Sequence, residues 1–240
     1  MKNTVYSIAG FNVEIKDNFG GIKGFGKKYI SPDKNADFSV SVTKADIIRE
    51  KELCTSECSA AYLERAAACR KLANLLPEKD CMLIHGSVID VNGIGTVFTA
   101  PSGTGKTTHT LLWKKLLGEK LTVINGDKPI LRFTKDGIYA YGTPWCGKEG
   151  FSENKYTRLK NLCLIKRSDT NRVYPLSRDE AVSVLLNEMF IPEDPYIFSK
   201  SLELADRIVS ECSLYTVECN TDIEAAKISH SAIYGGKENL

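Results

Sequence analysis

A glycine-rich segment near the middle of the 240-residue sequence has the residue types and spacing of a phosphate-binding loop, Ala100-Pro101-Ser102-Gly103-Thr104-Gly105-Lys106-Thr107. The two glycines let the backbone bend so that successive N–H groups point inward at phosphate oxygens. Lys106 would reach the β- and γ-phosphates of a nucleoside triphosphate, and Thr107 offers its hydroxyl to Mg²⁺. An apolar run precedes the segment and a helical pattern follows it, so the helix directs its positive end at the same anion. The sequence therefore predicts a site for ATP and Mg²⁺, with phosphate contacts from Ser102, Gly103, Thr104, Gly105, Lys106, Thr107 and Thr108.

A triphosphate site also needs a carboxylate for the metal ion, at the end of a nearby strand. Asp127 follows the apolar run 121–124. It is therefore the candidate that would hold Mg²⁺ together with Thr107, and it is also a candidate catalytic residue. The simpler alternative is that Asp127 only makes a turn with Gly126.

The segment from Gly142 to Gly150 is the second unusual stretch, because it combines glycines with a Pro, a Trp and an adjacent Lys-Glu pair. Loops of this kind often close over substrates. Lys148 could neutralise charge on the γ-phosphate, and Glu149 could take the proton of an acceptor. The alternative is a surface loop pinned by Trp145.

The periodicity of the sequence predicts the elements that must position these residues. Alternating apolar and polar residues predict short strands in the first 45 residues, and residues 60–76 predict a helix. Asn92-Gly93 between two apolar runs predicts a hairpin whose second strand feeds the glycine-rich loop. Further hairpins are predicted at 136–137 and 168–171, and further helices over about 107–117, 177–189 and 199–210 and from a cap at Thr221 to 235–236.

These elements add up to an α/β chain with a mixed, hairpin-rich sheet flanked by helices. The absence of a clear linker predicts one domain over residues 1–240. Residues 1–80 would contribute N-terminal strands and a helix, packed on a core formed by residues 81–240.

Composition gives no reason to expect a nucleic-acid or membrane partner. The net charge of +2, from 32 Lys plus Arg against 30 Asp plus Glu, demands neither nucleic acid nor an anionic membrane. The N-terminus has no apolar signal core and no run approaches the ~20 apolar residues that span a bilayer, so we expect a cytoplasmic protein. The eight cysteines include no C-x-x-C pair, which predicts free thiols. The alternative is metal binding by Cys54 and Cys58.

Four stretches together resemble the core of HPr kinase/phosphorylase, namely His85-Gly86, residues 89–95, residues 102–107 and Asn125-Gly126-Asp127-Lys128. The string Ser-Gly-Thr-Gly-Lys-Thr-Thr is also similar to the ATP loop of phosphoenolpyruvate carboxykinase, which shares one nucleotide-binding fold with HPr kinase. The resemblance implies this P-loop core, in which an antiparallel hairpin leads into the loop, as Asn92-Gly93 suggests independently. Kinases of free serine and of ribosomal peptides are similar to this core too. The resemblance is specific over about residues 82–130.

The resemblance also implies a role for His85 beside the transferred phosphate, with a satisfied, half-buried histidine as the alternative. HPr kinases have two adjacent Asp at the strand end, one implied as the base and one on the metal. Here one carboxylate is missing, whether Gly126-Asp127 or Asp127-Lys128 matches the pair. The base is therefore open between Asp127, Glu149 and His85. The signature with which HPr kinases act on the HPr protein is not found, nor are the metal-binding motifs of phosphoenolpyruvate carboxykinases.

The sequence thus predicts an ATP- and Mg²⁺-dependent kinase that transfers the γ-phosphoryl group to a hydroxyl. The expected acceptor is a serine, either free or in a peptide or protein. Catalysis is then mostly positioning and charge stabilisation. Two alternatives remain open: a nucleotide-binding sensor with little catalysis, and a phosphorylase acting on phosphoserine. ATP, GTP and pyrophosphate remain open as donors, and the chain is a possible homo-oligomer.

Overall fold

Two β-sheets and six α-helices make up the part of the chain that the computed structural model describes, residues 3–54 and 56–235. The predicted α/β class, with a mixed and hairpin-rich sheet flanked by helices, is confirmed at this level. The remaining residues of the predicted domain 1–240, and Gly236 at the predicted end of the last helix, lie outside the described ranges.

The smaller sheet has the order β1-β2-β3, with β1 at Thr4–Ile8, β2 at Phe11–Lys16 and β3 at Phe38–Ser41. The first two strands pair antiparallel across a turn at Ala9 and Gly10, and β3 runs parallel to β2. Both turn residues have positive φ, +52° and +79°, as a tight hairpin turn requires. The predicted N-terminal strands are confirmed.

Two helices follow the small sheet, α1 at Lys44–Leu53 and α2 at Ala60–Leu75. The predicted helix is α2, which begins after the capping residue Ser59. The sequence analysis missed α1, although Thr43 and Asp46 form a reciprocal capping box. The Asp46 carboxylate accepts the Thr43 N–H at 2.6 Å, and the Thr43 hydroxyl accepts the Asp46 N–H at 3.3 Å.

The prediction of free thiols is wrong for one pair of cysteines. A disulfide joins Cys54 and Cys58, in the connection between α1 and α2. The first cysteine ends α1 and the second lies next to the cap of α2, so the disulfide links the ends of the two helices. The other six cysteines are free, and four of them are buried: Cys69, Cys81, Cys163 and Cys219.

The larger sheet has nine strands within the described part of the chain. Its order is β4-β8-β9-β10-β6-β5-β7. β12 pairs with residues 161–167 of β10, on the edge opposite β6, and β11 pairs with β12. The strands are β4 Cys81–Leu83, β5 Ser87–Val91, β6 Ile94–Thr99, β7 Leu121–Asn125, β8 Ile130–Thr134, β9 Gly137–Tyr141, β10 Tyr156–Arg167, β11 Arg172–Pro175 and β12 Ser213–Cys219.

The hairpin that feeds the glycine-rich loop forms as predicted. Strands β5 and β6 pair antiparallel around Asn92 and Gly93, whose φ angles of +53° and +79° are the conformation that makes Asn-Gly favourable there. The long strand β10 runs parallel to β6 on its other edge. The strand that enters the loop is therefore held on both sides.

The predicted hairpin across residues 168–171 is wrong. Strand β12 lies parallel to β10, and β11 pairs antiparallel with β12. The edge of β10 that a hairpin would need is thus occupied by a strand from much later in the chain. The connection is instead tied to the end of β12, because the Asn171 side chain accepts the Asn220 N–H at 3.0 Å.

Helices cover both faces of the large sheet. They are α3 at Lys106–Leu117, α4 at Arg178–Glu188, α5 at Pro195–Glu211 and α6 at Ile223–Tyr234. Alternate residues of β10 point to opposite faces, so Leu162 and Leu164 pack with α4 and α5 while Cys163 and Ile165 pack with α3 and α6.

Two of the predicted helix starts are corrected. Helix α5 begins four residues before the predicted start at 199, because Asp194 caps it and Pro195 fits its first position. The residue before α6 is Asp222 rather than the predicted Thr221, and it makes no side-chain capping bond.

The N-terminal segment shares a hydrophobic core with the larger sheet. Tyr6 and Leu72 pack in the same cluster as Leu83, Ile130 and Trp145. The organisation of the chain as a single domain stays a prediction. Among the described residues, none of the helices has the length and apolar character needed to cross a membrane.

Candidate functional site

The glycine-rich loop links the end of β6 to the start of α3. Gly103 and Gly105 have φ of +78° and +122°, a region that other residues adopt only with strain. Gly105 is the residue before α3, and no side chain caps the helix. The first N–H groups of α3 therefore lack intrahelical acceptors, which leaves them for an anion.

Lys106 is buried at the base of this loop, with only 7% of its surface exposed. Its ammonium donates to the carbonyl oxygens of Ala100 at 2.6 Å and Pro101 at 3.4 Å. Burial lowers the pKa of Lys106, and the charges of Glu188 and Asp127 oppose this shift. A buried ammonium held by neutral carbonyls gains from the arrival of an anion.

A cavity of about 410 Å³ opens above the loop, which is within the usual size range of small-molecule sites. It brings together the predicted loop residues with Asp127 and with the tip of the second unusual segment. Its lining consists of His85, Ser102, Gly103, Gly105, Lys106, Thr107, Thr108, Gly126, Asp127, Gly147, Lys148 and Glu149. Of the predicted site residues, Thr104 alone is missing from this lining, and it faces a neighbouring cavity.

The turn after β7 holds Asp127 in a fixed position. The side-chain oxygen of Asn125, which is fully buried, accepts the N–H groups of Asp127 at 2.9 Å and Lys128 at 2.8 Å. The Asp127 carbonyl accepts the Gly86 N–H at 2.9 Å. Asp127 therefore makes a turn, as the simpler alternative proposed, and that turn directs its carboxylate into the cavity.

The side chains of Lys128 and His85 both contact the Asp127 carboxylate. The Lys128 ammonium lies 2.9 Å from Oδ2, and Nε2 of His85 lies 3.4 Å from Oδ1. Burial lowers the pKa of Lys128, but the charge and the hydrogen bond of Asp127 outweigh this effect and leave the pKa raised. Each oxygen of the carboxylate thus has its own partner.

The other ring nitrogen of His85 contacts Glu188, a residue that the sequence analysis missed. Nδ1 lies 2.7 Å from the carboxylate of Glu188. Glu188 is the last residue of α4. The two residues are 103 positions apart. No local sequence signal marks Glu188, because a single Glu at the end of a helix is ordinary.

The segment from Gly142 to Gly150 has a fixed part and an exposed tip. Trp145 is buried and its indole N–H donates to the Arg65 carbonyl at 2.8 Å. The tip, residues 147–150, is exposed and faces the cavity. A Cβ placed on Gly147 would lie 3.4 Å from Cβ of Asp127 and 3.6 Å from Oε2 of Glu149, so both side chains lie beside this glycine.

Arg167, at the end of β10, is a second residue that the sequence analysis missed. Its guanidinium donates to the Thr104 carbonyl at 2.9 Å and also to the Gly103 carbonyl. These bonds hold the carbonyl groups of the loop from its outer side.

A second cavity of about 440 Å³ lies on this outer side of the loop. Its walls come from the loop, from the end of β10 and from α4, and they are Pro101, Thr104, Leu164, Ile165, Lys166, Arg167, Val184, Asn187 and Glu188. Glu188 lies between the two cavities, since it lines the second and contacts His85 in the wall of the first.

The donor set around the first cavity fits Mg²⁺. Within the described ranges no group of three or more His, Cys, Asp or Glu is arranged to hold a metal ion. Mg²⁺ instead takes one or two carboxylates together with phosphate oxygens and water. Thr107 and Asp127 line the same cavity and would suffice for that arrangement.

His109, one turn into α3, has a structural role. It is 1% exposed, and Nε2 accepts the Trp113 indole N–H at 3.0 Å. Burial lowers the pKa of His109 to about 4, so the ring is neutral near pH 7.

Comparison with known proteins adds a distant similarity. No protein-family model matches the sequence, and no curated protein matches it. The solved structure of the HPr(Ser) kinase/phosphatase from Coxiella burnetii is similar over 65% of this chain and 90% of that chain, with 9% sequence identity and a TM-score of 0.38. A similarity of this size assigns neither a family nor a function, so the resemblance to HPr kinase and phosphoenolpyruvate carboxykinase stays a prediction.

Proposed function

We propose that the protein transfers the γ-phosphoryl group of ATP to a hydroxyl group, with a serine as the expected acceptor. One observation carries the proposal: the first cavity combines the glycine-rich loop and the buried Lys106 with the Asp127 carboxylate and His85. Phosphoryl transfer needs phosphate positioning, charge neutralisation and a proton acceptor at one point. This cavity offers a residue for each task.

The loop would hold the phosphates. The uncapped start of α3 and the N–H groups around Gly103 and Gly105 supply donors, and Lys106 supplies a positive charge. On binding, the Lys106 ammonium would exchange its carbonyl contacts for phosphate oxygens, a stronger charge-assisted interaction. Lys148, on the exposed tip, would add charge at the γ-phosphate.

Thr107 and Asp127 would hold Mg²⁺ between them and the phosphates. When bound, the metal ion neutralises charge that develops on the β- and γ-oxygens during transfer. Lys128 and His85 contact the Asp127 carboxylate and would keep it oriented.

The reaction forms one bond and breaks another. The acceptor oxygen bonds to the γ-phosphorus, the bond from phosphorus to the β–γ bridging oxygen breaks, and ADP leaves. The acceptor proton passes to a base, for which Asp127, His85 and Glu149 are the candidates. Asp127 and Glu149 both lie beside Gly147 and line the same cavity, which supports Glu149 as the replacement for the missing second carboxylate.

The second cavity is suited to the nucleoside. It adjoins the loop at Pro101 and Thr104, and Leu164 and Val184 give it apolar walls. An aromatic base buries apolar surface in such a site while its phosphates turn into the loop. Arg167 would then contact both the loop and the nucleoside.

One observation favours a nucleotide-binding sensor as the second candidate function. Asp127 is the single carboxylate in the predicted metal position, and it is already paired with Lys128 at 2.9 Å. If Asp127 stays paired with Lys128 when nucleotide binds, the metal ion lacks its carboxylate ligand. The acceptor hydroxyl then also lacks Asp127 as a base.

Mass spectrometry of acceptors tests the proposal. The protein is incubated with ATP and Mg²⁺ together with free serine, serine-containing peptides and any small peptide encoded beside this protein. We expect a mass increase of one phosphate on one acceptor class with the parent protein and none with Lys106→Ala. ATP bound without any phosphorylated acceptor would favour the sensor.

A further inference from the structure

We propose that Glu188 is a positioning residue, which holds the His85 ring so that Nε2 faces Asp127. The inference rests on the proposed phosphoryl transfer, and it adds to that reaction a residue on a different helix. Glu188 acts through His85, because its carboxylate contacts the ring on the side away from Asp127.

Main-chain hydrogen bonds hold the backbone of His85 next to the end of α4, independently of the contact between the two side chains. The His85 N–H donates to the Glu188 carbonyl at 2.7 Å, and the Phe190 N–H donates to the Leu83 carbonyl at 3.1 Å. The Thr99 hydroxyl donates to the His85 carbonyl at 3.1 Å. These main-chain bonds fix where the segment lies, so the 2.7 Å contact between the Glu188 carboxylate and Nδ1 is left to fix the ring orientation.

Stability does not explain a carboxylate at this position. Glu188 is the last residue of α4 and is 9% exposed. A negative charge at a helix C-terminus is opposed by the helix dipole, and a buried carboxylate costs free energy unless it is paired. Both effects disfavour Glu188, and its pairing with His85 is the compensation that the site provides.

The held ring completes a chain of contacts that ends at the reacting groups. With Nδ1–H donated to Glu188, rotation of the ring would break a short hydrogen bond. Nε2 then stays beside Oδ1 of Asp127, while Lys128 holds Oδ2. Loss of Glu188 frees the ring, and Asp127 loses one of the two contacts that orient it.

Two variants of Glu188 and one matched control test the inference by kinetics. Glu188→Leu removes the acceptor for Nδ1–H, and we expect kcat to fall about 10²-fold, with the KM for ATP changed less than about threefold because the loop still holds the phosphates. Glu188→Gln keeps an acceptor oxygen and should restore kcat to within about tenfold of the parent. Glu50→Leu removes another buried carboxylate, 6% exposed and paired with Arg70, and should leave kcat unchanged because neither residue of that pair lines the first or the second cavity.

A spectroscopic measurement tests the same inference without catalysis. The chain has only three histidines, so the ring nitrogens of His85 can be assigned by ¹H–¹⁵N NMR. We expect a hydrogen-bonded Nδ1 proton in the parent and in Glu50→Leu, and its loss in Glu188→Leu.

The outcomes separate this inference from the proposed function. Unchanged His85 signals in Glu188→Leu, or equal loss of kcat in Glu188→Leu and Glu188→Gln, would overturn the positioning role. A parent protein that phosphorylates no acceptor would overturn the proposed function, and the His85 signals would still decide whether Glu188 holds the ring.

Discussion

Replacing Asp127 by Asn separates the contribution of the metal ion to nucleotide binding from that of the glycine-rich loop. The substitution keeps the size of the side chain and removes its charge. The carboxylate contacts Lys128 at 2.9 Å and His85 at 3.4 Å. We expect two opposite changes in Asp127→Asn: tighter nucleotide binding without metal, and loss of the tightening that Mg²⁺ brings.

The magnitude of the first change follows from the charges around the cavity. Without metal, the Asp127 carboxylate repels the phosphates and neutralises Lys128. A unit charge about 5 Å from a phosphate contributes about 3 kcal/mol at an effective dielectric of ~20. The Asp127 side chain is 27% exposed, and solvent screening reduces this to about 1 kcal/mol, which is about fivefold in affinity.

Calorimetric titration with a non-hydrolysable ATP analogue, with excess Mg²⁺ and with a chelator, measures both changes. Asp136→Asn is the control, because Asp136 is exposed in the turn between β8 and β9. An Asp127→Asn protein that keeps the parental Mg²⁺ effect would place the metal ligand elsewhere. Metal-free binding that weakens would refute the charge argument.

Three further predictions concern the exposed tip, the outer side of the loop and the buried histidine. We expect Lys148→Ala and Glu149→Gln each to lower kcat by about 10²-fold with little change in nucleotide affinity. If both variants phosphorylate an identified acceptor at the parental rate, the exposed tip has no catalytic role. Arg167→Ala removes the 2.9 Å hydrogen bond to the Thr104 carbonyl, and we expect nucleotide affinity to fall about tenfold. Equal affinity of the two proteins in a titration would show that the loop keeps its conformation without Arg167. His109 has a pKa near 4 against an ordinary value of 6.5, so the unfolded state binds the extra proton between these values. The unfolding free energy should therefore fall by about 3 kcal/mol as the pH drops from 6.5 to 4. Denaturation of His109→Phe should lack this slope, and an equal slope in both proteins would assign it to other groups.

Features set by local chemistry could be predicted from the sequence. Gly103 and Gly105 were identified because a phosphate loop needs their backbone conformations, and the Asn92-Gly93 hairpin because few other pairs tolerate that turn. Asp127 is a candidate metal ligand on the sequence because it is a carboxylate that follows a short apolar run. Each of these signals is contained within a few consecutive residues.

Features set by contacts between distant residues could not be predicted. The insertion of β12 beside β10 depends on which strand occupies that edge, and hairpin-like spacing around residues 168–171 carries no information about it. Glu188 meets His85 only because α4 ends next to the strand β4. The missed helix α1 is different, since its capping box at Thr43 and Asp46 was visible in the sequence.

The central claim is that the first cavity binds a nucleoside triphosphate through Lys106 and the loop amides. Titration of the protein with a non-hydrolysable ATP analogue in the presence of Mg²⁺ tests this most directly, with Lys106→Ala as the comparison. We predict saturable binding of one nucleotide per chain by the parent protein and at least tenfold weaker binding by Lys106→Ala. Equal affinity in the two proteins, or no binding by the parent, would contradict the claim.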